Sequence, residues 1–391
     1  MNSKKRVAIT GIGVVSPVGC GKEALWSGLL SPQPGGERRI EGFDADDYYD
    51  DPKKIRRADR FEQFAIACAQ EALQQAGALD AAPERIGVMV GTGIGGAQTH
   101  EDQTLLLDEK GPRRVSPFTV PMMMANAAAA AVSITHGFQG PCESVTTACA
   151  SSTHGIGQAA RWIQWGICDV ALAGGAEAAM TPIALSAFAR MKALSPDGVS
   201  RPFDEERDGF VIAEGGGLLV LEDYERARGR GATILGEILG SASVADAHHV
   251  TAPAPGGQGA LRCMRTALDD AGVAAGDVVH INAHGTSTPL NDAAEAQGIA
   301  ELFGSPGPAV TSTKGVLGHA LGAAGALEAA AVLLSMQHEL IPPTDGLVTF
   351  DPELPQSDVV QGEPRRWVPG VSLSNSFGFG GHNGTLVIAP A

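Results

Sequence analysis

Within the 391-residue chain, the stretch Ser144-Val145-Thr146-Thr147-Ala148-Cys149-Ala150-Ser151-Ser152-Thr153-His154-Gly155-Ile156-Gly157 is the best suited to covalent chemistry. Small and hydroxylated residues lead up to a single cysteine. An apolar run then follows, from Ile156 through Ala159, Ala160 and Trp162 to Ile163. The pattern reads as a strand end, a tight turn and a helix start, with Cys149 at the turn. A thiol there feels the positive end of the helix dipole and nearby unpaired N–H groups, which favour the nucleophilic thiolate. A cysteine taken at random is more often a packing residue. Here the small neighbours on both sides leave room for a substrate to reach the sulfur.

Two histidines stand in similar settings. His284 lies in Asn282-Ala283-His284-Gly285-Thr286-Ser287-Thr288-Pro289. His319 lies in Thr313-Lys314-Gly315-Val316-Leu317-Gly318-His319-Ala320-Leu321-Gly322-Ala323-Ala324-Gly325. Each follows a buried element and is flanked by glycine, alanine or hydroxyl residues. Ligands of α/β proteins gather at the carboxyl ends of strands, so Cys149, His284 and His319 can converge. One cysteine, two histidines and Lys314 suit acyl transfer through a thioester: the thiolate takes the acyl group, and imidazole N–H groups stabilise an enolate or oxyanion. An isolated histidine at an element end is ordinarily structural, but three such settings in one chain weigh toward a site. A cysteine protease has no need of a second histidine beside a lysine in a glycine loop.

The elements that must position these groups alternate between buried strands and helices. Val7–Val15, Ile86–Val90, Val170–Glu177 and Phe210–Leu221 read as strands of a first half, with helices at 22–30, 61–75 and 121–132, two strands before the Cys149 helix, and a charged helix at 222–230. A second series begins near Ala232: strands at 234–239, 278–283, 309–312, 370–373 and 385–388, and helices at 259–272, 292–303 and 321–336. Residues 31–52, rich in Pro, Gly and Asp, read as a surface excursion. The pattern implies covered α/β layers in two similar halves, 1–236 and 237–391. The loop Gly91-Thr92-Gly93-Ile94-Gly95-Gly96 lacks the charged companions of a nucleotide-binding loop.

Apolar residues make up 44% of the chain and charged residues 18%, which fits a core-forming protein. The formal net charge of −16 argues against nucleic acid as a partner. The six cysteines, Cys20, Cys68, Cys142, Cys149, Cys168 and Cys263, form no C-x-x-C pair, which fits a reducing, cytoplasmic compartment and argues against a zinc site. No apolar segment is long enough for membrane insertion.

Thr146-Thr147-Ala148-Cys149-Ala150-Ser151, Asn282 to Pro289, Ser312-Thr313-Lys314 with Gly318-His319, and Ser374-Asn375-Ser376-Phe377-Gly378-Phe379-Gly380-Gly381 together resemble the β-ketoacyl-acyl carrier protein synthases of the elongating, type II class. Arg207-Asp208-Gly209-Phe210 and Gly322-Ala323-Ala324-Gly325 extend the likeness over essentially the whole chain. The resemblance implies a thiolase-like α/β fold, two pseudo-symmetric halves in a five-layered αβαβα sandwich, working as a dimer without a cofactor. It implies acylation of Cys149 from an acyl carrier protein, decarboxylation of malonyl-acyl carrier protein and condensation to a β-ketoacyl product two carbons longer.

By the same resemblance, His284 and His319 support decarboxylation, Lys314 and Glu328 orient His319, and the N–H groups of Cys149 and Phe379 form an oxyanion hole. Phe379 is also the gate to the acyl pocket. Thr286 and Thr288 contact the pantetheine arm, and Ile94, Thr119, Phe188 and His382 shape the substrate pocket. Lys53, Arg56, Arg57, Arg113, Arg114 and Lys192 dock the carrier protein. Asn282, Glu328, Ser374 and Asn375 match positions that can surround a structural monovalent cation; no catalytic metal is expected.

Thr119 and His382 depart from the fatty-acid pattern, where a second Phe and a Thr are usual. They keep open a polyketide ketosynthase paired with a chain-length-factor-like subunit, as against a homodimer of fatty-acid synthesis. His319 in the second position separates the chain from initiating synthases, the lack of a cysteine after Cys263 from degradative thiolases, and Cys149 from non-catalytic partner subunits.

Overall fold

A computed structural model describes residues 4–31 and 36–391. Residues 32–35, part of the expected surface excursion, lie outside it. The strands are β1 (Val7–Ser16), β2 (Gly19–Cys20), β3 (Ile86–Gly91), β4 (Cys142–Glu143), β5 (Val170–Glu177), β6 (Gly215–Asp223), β7 (Gly236–Ala245), β8 (Val278–Asn282), β9 (Ala309–Thr311), β10 (Leu340–Ile341), β11 (Asp358–Val359), β12 (Arg365–Arg366), β13 (Val371–Gly378) and β14 (His382–Ala389). β10 pairs with β12 in a separate ribbon, and β2 pairs with β1. The remaining strands run in the order β11-β9-β8-β13-β14-β7-β1-β6-β5-β3-β4.

The seam of this sheet is short: Val7, Ala8 and Ile9 of β1 face Ile238, Glu237 and Gly236 of β7. Outward from it, β1, β6, β5, β3 and β4 pair as antiparallel, antiparallel, parallel, parallel. On the other side β7, β14, β13, β8 and β9 repeat that pattern step for step. β11 adds an edge strand to the second series.

Helices fill the space between and around the two series. Ser151–Gln164 touches strands of both, β3, β5 and β6 on one side and β7 and β14 on the other, and packs against Ala324–His338. These two helices are the middle layer. Ala159, Trp162 and Ile163 of the first and Ala329, Leu333 and Leu334 of the second share one buried cluster. Arg60–Ala76 covers the outside of β1, β5 and β6, whereas Gln258–Ala271 covers β7 and β14 beside Pro289–Phe303. The layering is helix, sheet, helix, sheet, helix, as a thiolase-like fold requires.

Local chemistry accounts for the joints. Asp59 and Glu62 form a reciprocal capping box at the start of Arg60–Ala76, worth about 1 kcal/mol. That helix lies so close to β1 that a Cβ at Gly13 would fall 1.9 Å from the Cys68 carbonyl oxygen. Among the described residues, no helix is long and apolar enough to cross a membrane.

The structure departs from the sequence reading in several places. The expected helix at 121–132 is two, Thr119–Met123 and Ala127–His136. Only β4 lies between Ala127–His136 and the Cys149 helix, and residues 210–214 run ahead of β6 with isolated bridges to other loops. Ala97–Lys110 and Pro182–Arg190 are helices with no counterpart in that reading. The first is polar on nearly every face, with only Thr99 buried, so it has no periodic apolar stripe to reveal it.

Candidate active site

The repeat in the sheet explains where the nucleophile sits. Cys149 lies between β4 and the Ser151–Gln164 helix; His319 lies between β9 and the Ala324–His338 helix. These are equivalent places in the two series, so both residues reach the same end of the central layer. His284 leaves β8, the counterpart of β3.

The turn at Cys149 is held by its neighbours. Ala148 takes a left-handed φ of 50°, a conformation costly for a residue with a Cβ. The Thr147 N–H donates to Ser151 Oγ at 2.9 Å, and that hydroxyl donates to the Ala148 carbonyl at 2.6 Å. Gly378 backs the turn, where a Cβ would meet the Cys149 nitrogen at 3.0 Å. The Phe379 and Cys149 N–H groups both act on the sulfur, lowering its pKa.

Cys149 Sγ is 3.0 Å from His319 Nε2. The His284 and His319 rings stand edge to face, 5.3 Å between centroids. One ligand atom from each of Cys149, His284 and His319 lies within 4.8 Å of the others. The His319 backbone is clamped by its N–H to the Val211 carbonyl at 2.7 Å and its carbonyl to the Ala213 N–H at 3.0 Å. The His284 N–H donates to the Glu295 carboxylate at 2.9 Å.

Lys314 belongs to His284 rather than to His319. Its Nζ is 3.2 Å from His284 Nδ1 and also bonds Glu328. Lys314 opens the short helix Lys314–Leu317 and is buried there. A lysine donor on Nδ1 leaves His284 Nε2 to carry the ring hydrogen.

Electrostatics at the site are ruled by burial. Burial, then the Lys314 charge, holds both histidines well below their usual range, so both imidazoles are neutral. Burial pushes the Cys149 thiol up to about 11; Lys314 and the Phe379 N–H pull it down, and Glu177 pushes it up. Burial thus opposes the helix dipole that the sequence shows. The resting sulfur is a thiol, with His319 in place to take its proton.

A cavity of about 600 Å³ opens above the sulfur, walled by Ile94, Phe188, Thr286, Thr288, Phe379 and Lys192 among others. Thr286 and Thr288 hydroxyls are 2.9 Å apart on this wall. A second cavity of about 360 Å³ shares Ile94 with the first and includes Ala97, His100, Met123 and Ala187. Ile94 is the partition between the two. His100 escapes motif reading because nothing in the sequence marks the polar helix that carries it.

Two expected pocket residues lie elsewhere. Thr119 turns its hydroxyl back to the Ser116 carbonyl at 2.7 Å and is on neither cavity wall. His382 opens β14 opposite Gly378 and Ala245. Its neighbours Gly381 and Asn383 line the cavity instead, as alternation along an extended strand dictates.

The expected cation shell is only partly available. Asn375 is committed to Glu295 and Thr385, and Glu328 to Lys314. Asn282 and Ser374, register partners on β8 and β13, keep buried polar atoms with no partner, as does Thr313. Glu328 also keeps one buried carboxylate oxygen, Oε2, with no hydrogen-bond partner.

The expected docking residues Lys53, Arg56, Arg57, Arg113, Arg114 and Lys192 are all exposed. The Arg57 guanidinium sits 4.3 Å from the Phe118 ring centroid, which brings the first basic run beside the second. Lys192 stands at the cavity mouth.

Residues 35–227 match the β-ketoacyl synthase N-terminal domain and residues 235–347 its C-terminal domain. The chain belongs to the β-ketoacyl synthase family. Within it, the chain is 43% identical to a 3-oxoacyl-[acyl-carrier-protein] synthase 2 of Synechocystis, with 98% of this chain and 97% of the relative covered. It is 42% identical to the protein of that name from Staphylococcus aureus, with 99% of each covered. Among solved structures, the ishigamide ketosynthase/chain length factor superposes with a TM-score of 0.93 at 33% identity, each chain fully covered. A type II polyketide ketosynthase in complex with its acyl-carrier protein, bound to the hexaketide, superposes at 0.89 and 31% identity, again with full coverage. This β-ketoacyl synthase is thus a condensing acyltransferase with a thiolase-like fold.

Proposed function

We propose that this synthase elongates acyl chains carried on an acyl carrier protein, in fatty-acid synthesis, by acyl transfer to Cys149 followed by decarboxylative condensation with a malonyl thioester. The convergence of Cys149, His284 and His319 within 4.8 Å beneath the cavity carries the reading. In the first stage His319 Nε2 takes the thiol proton as the sulfur attacks the thioester carbonyl. The carbonyl oxygen is held by the Cys149 and Phe379 N–H groups, and the proton passes to the departing pantetheine thiolate. In the second stage the malonyl carboxylate leaves as CO2. Its electron pair forms an enolate whose oxygen accepts from His284 Nε2–H, with His319 beside it. The carbanion then attacks the acyl carbonyl, and the C–S bond to Cys149 breaks.

Thr286 and Thr288 contact the pantetheine arm. The acyl chain passes Phe379 and Ile94 toward the second cavity. Lys53, Arg56, Arg57, Arg113, Arg114 and Lys192 meet the acidic carrier. Residues 1–236 and 237–391 are the two structural repeats, the seam at β1 and β7 supporting that division. The protein works in the cytoplasm, which its free cysteines fit.

Intact mass after incubation with acyl-carrier thioesters tests this. Acyl mass on wild type and none on Cys149→Ala is the expected result; equal labelling of both would overturn it. A polyketide role beside a chain-length-factor-like subunit is the second reading, supported by the likeness to a ketosynthase/chain length factor and to a type II polyketide ketosynthase. The higher identity to the fatty-acid relatives ranks the homodimer first. Native mass with and without a nucleophile-less partner separates the two.

A further inference from the structure

We propose that the second cavity selects acyl chains bearing a neutral oxygen, a hydroxyl or a ketone, near the far end, and that His100 reads that oxygen. The inference rests on acyl transfer to Cys149 and adds the class of chain transferred. Ile94 lines both this cavity and the one above the sulfur, so a chain that turns the Ile94 side chain aside runs from one into the other. At about 360 Å³ the second cavity is in the size range of small-ligand sites.

Gly96, Ala97, Met123, Ala184 and Ala187 give it a mostly apolar lining, and two side chains break that lining, His100 and Thr181. Only the backbone of His100 is hydrogen-bonded among the described residues: its N–H donates to the Gly96 carbonyl at 3.0 Å, and its carbonyl accepts from Thr104 Oγ1 at 2.7 Å. Its ring is left for a ligand. Thr181 is fully buried, and its Oγ1 accepts the Ala184 N–H at 3.4 Å, which leaves the hydroxyl hydrogen to donate. An alkyl end pressed over these two groups strips them of water and gives no hydrogen bond in exchange. A ketone oxygen accepts from either group, and a hydroxyl can also donate to the imidazole. A carboxylate end fits worse, because Glu101 bonds the Ile183 N–H of this wall at 3.2 Å and already places a carboxylate beside it. A site built to bond an oxygen discriminates strongly against chains that lack one, whereas a wholly apolar slot barely distinguishes the two.

The test is competition for Cys149, read by intact mass. The enzyme is offered pairs of acyl-carrier thioesters of equal length, one alkyl and one with a hydroxyl or ketone on the penultimate carbon. Each rate is divided by that for acetyl, which is too short to pass Ile94. Wild type is expected to favour the oxygenated chain by roughly tenfold or more once the chain is long enough to reach His100. His100→Leu, similar in bulk but without ring nitrogens, should abolish that preference. His100→Gln, which keeps a donor and an acceptor, should retain most of it, a rescue that a packing role would not give. Each variant is first checked for a native melting curve. Equal acylation by both chains, a preference that survives His100→Leu, or stronger labelling by a chain ending in a carboxylate would each overturn this inference and leave acyl transfer standing. No acyl mass on Cys149 from any thioester, acetyl included, would overturn the transfer itself and this inference with it.

Discussion

Lys314 and Glu328 are buried together, 2% and 1% exposed, and Lys314 also holds His284. Removing one partner of such a pair strands a charge in a dry interior, at about 3–5 kcal/mol, whereas replacing both with apolar residues is close to neutral. Lys314→Met and Glu328→Leu are each expected to lose about that amount in urea unfolding, and the double variant to recover most of it. Catalysis should not recover. Without the lysine donor, His284 no longer has a fixed Nε2–H for the enolate oxygen, a loss on the order of 10²–10³ in the rate of CO2 release from a malonyl thioester. The double variant should therefore fold like wild type and decarboxylate poorly. Additive stability losses in the double variant would refute the buried-pair argument. Wild-type CO2 release from it would refute the positioning role of Lys314.

Reversing Arg113 and Arg114 to Glu should weaken reaction with carrier-borne substrate and spare a small soluble thioester; equal loss with both substrates in steady-state kinetics would contradict the docking surface. With its thiol pushed up to about 11, Cys149 should be alkylated about tenfold faster per pH unit from 7 to 10, with no plateau; a plateau near pH 8, seen by stopped-time mass analysis, would show that the helix dipole outweighs burial. Burial pushes His280 down to about 3, whereas the unfolded chain titrates it near ~6.5. The unfolded state then binds the extra proton between those values, so stability is full above ~6.5 and falls as pH drops toward 3. His280→Leu should flatten that slope in urea midpoints measured from pH 7 to 4, and an unchanged slope would exclude His280 as its source.

The chemistry was legible because glycine, alanine and hydroxyl residues crowd around Cys149, His284 and His319, and such crowding serves close approach to reactive groups. The alternation of buried strands and helices also showed in the sequence, since β1, β3 and β5 are continuous apolar or small runs. What stayed hidden depended on the third dimension. Lys314 lies nearer His319 in the chain but bonds His284, a partner thirty residues away that only the folded chain brings to it. Asn375 reads like a cation ligand, yet its amide is consumed by Glu295 and Thr385. His382 reads like a pocket residue, yet strand alternation puts its neighbours Gly381 and Asn383 on the cavity wall instead. The dipole at Cys149 is visible in sequence, but the burial that opposes it is not.

Glu177, fully buried at the end of β5, accepts from the N–H groups of Gly93 and Ile94, from Thr92 Oγ1, and from the Gly322 N–H. The first three belong to the loop that carries the partition between the cavities. The last belongs to the segment just after His319, in the opposite repeat. One carboxyl thus acts as a tie-bar between the Ile94 wall shared by the two cavities and the loop that carries His319. Selectivity and turnover are mechanically geared to each other here. A substitution that reshapes the Ile94 wall to admit a new chain will also displace Gly322, and an altered chain preference will come with an altered rate even where no catalytic side chain has changed.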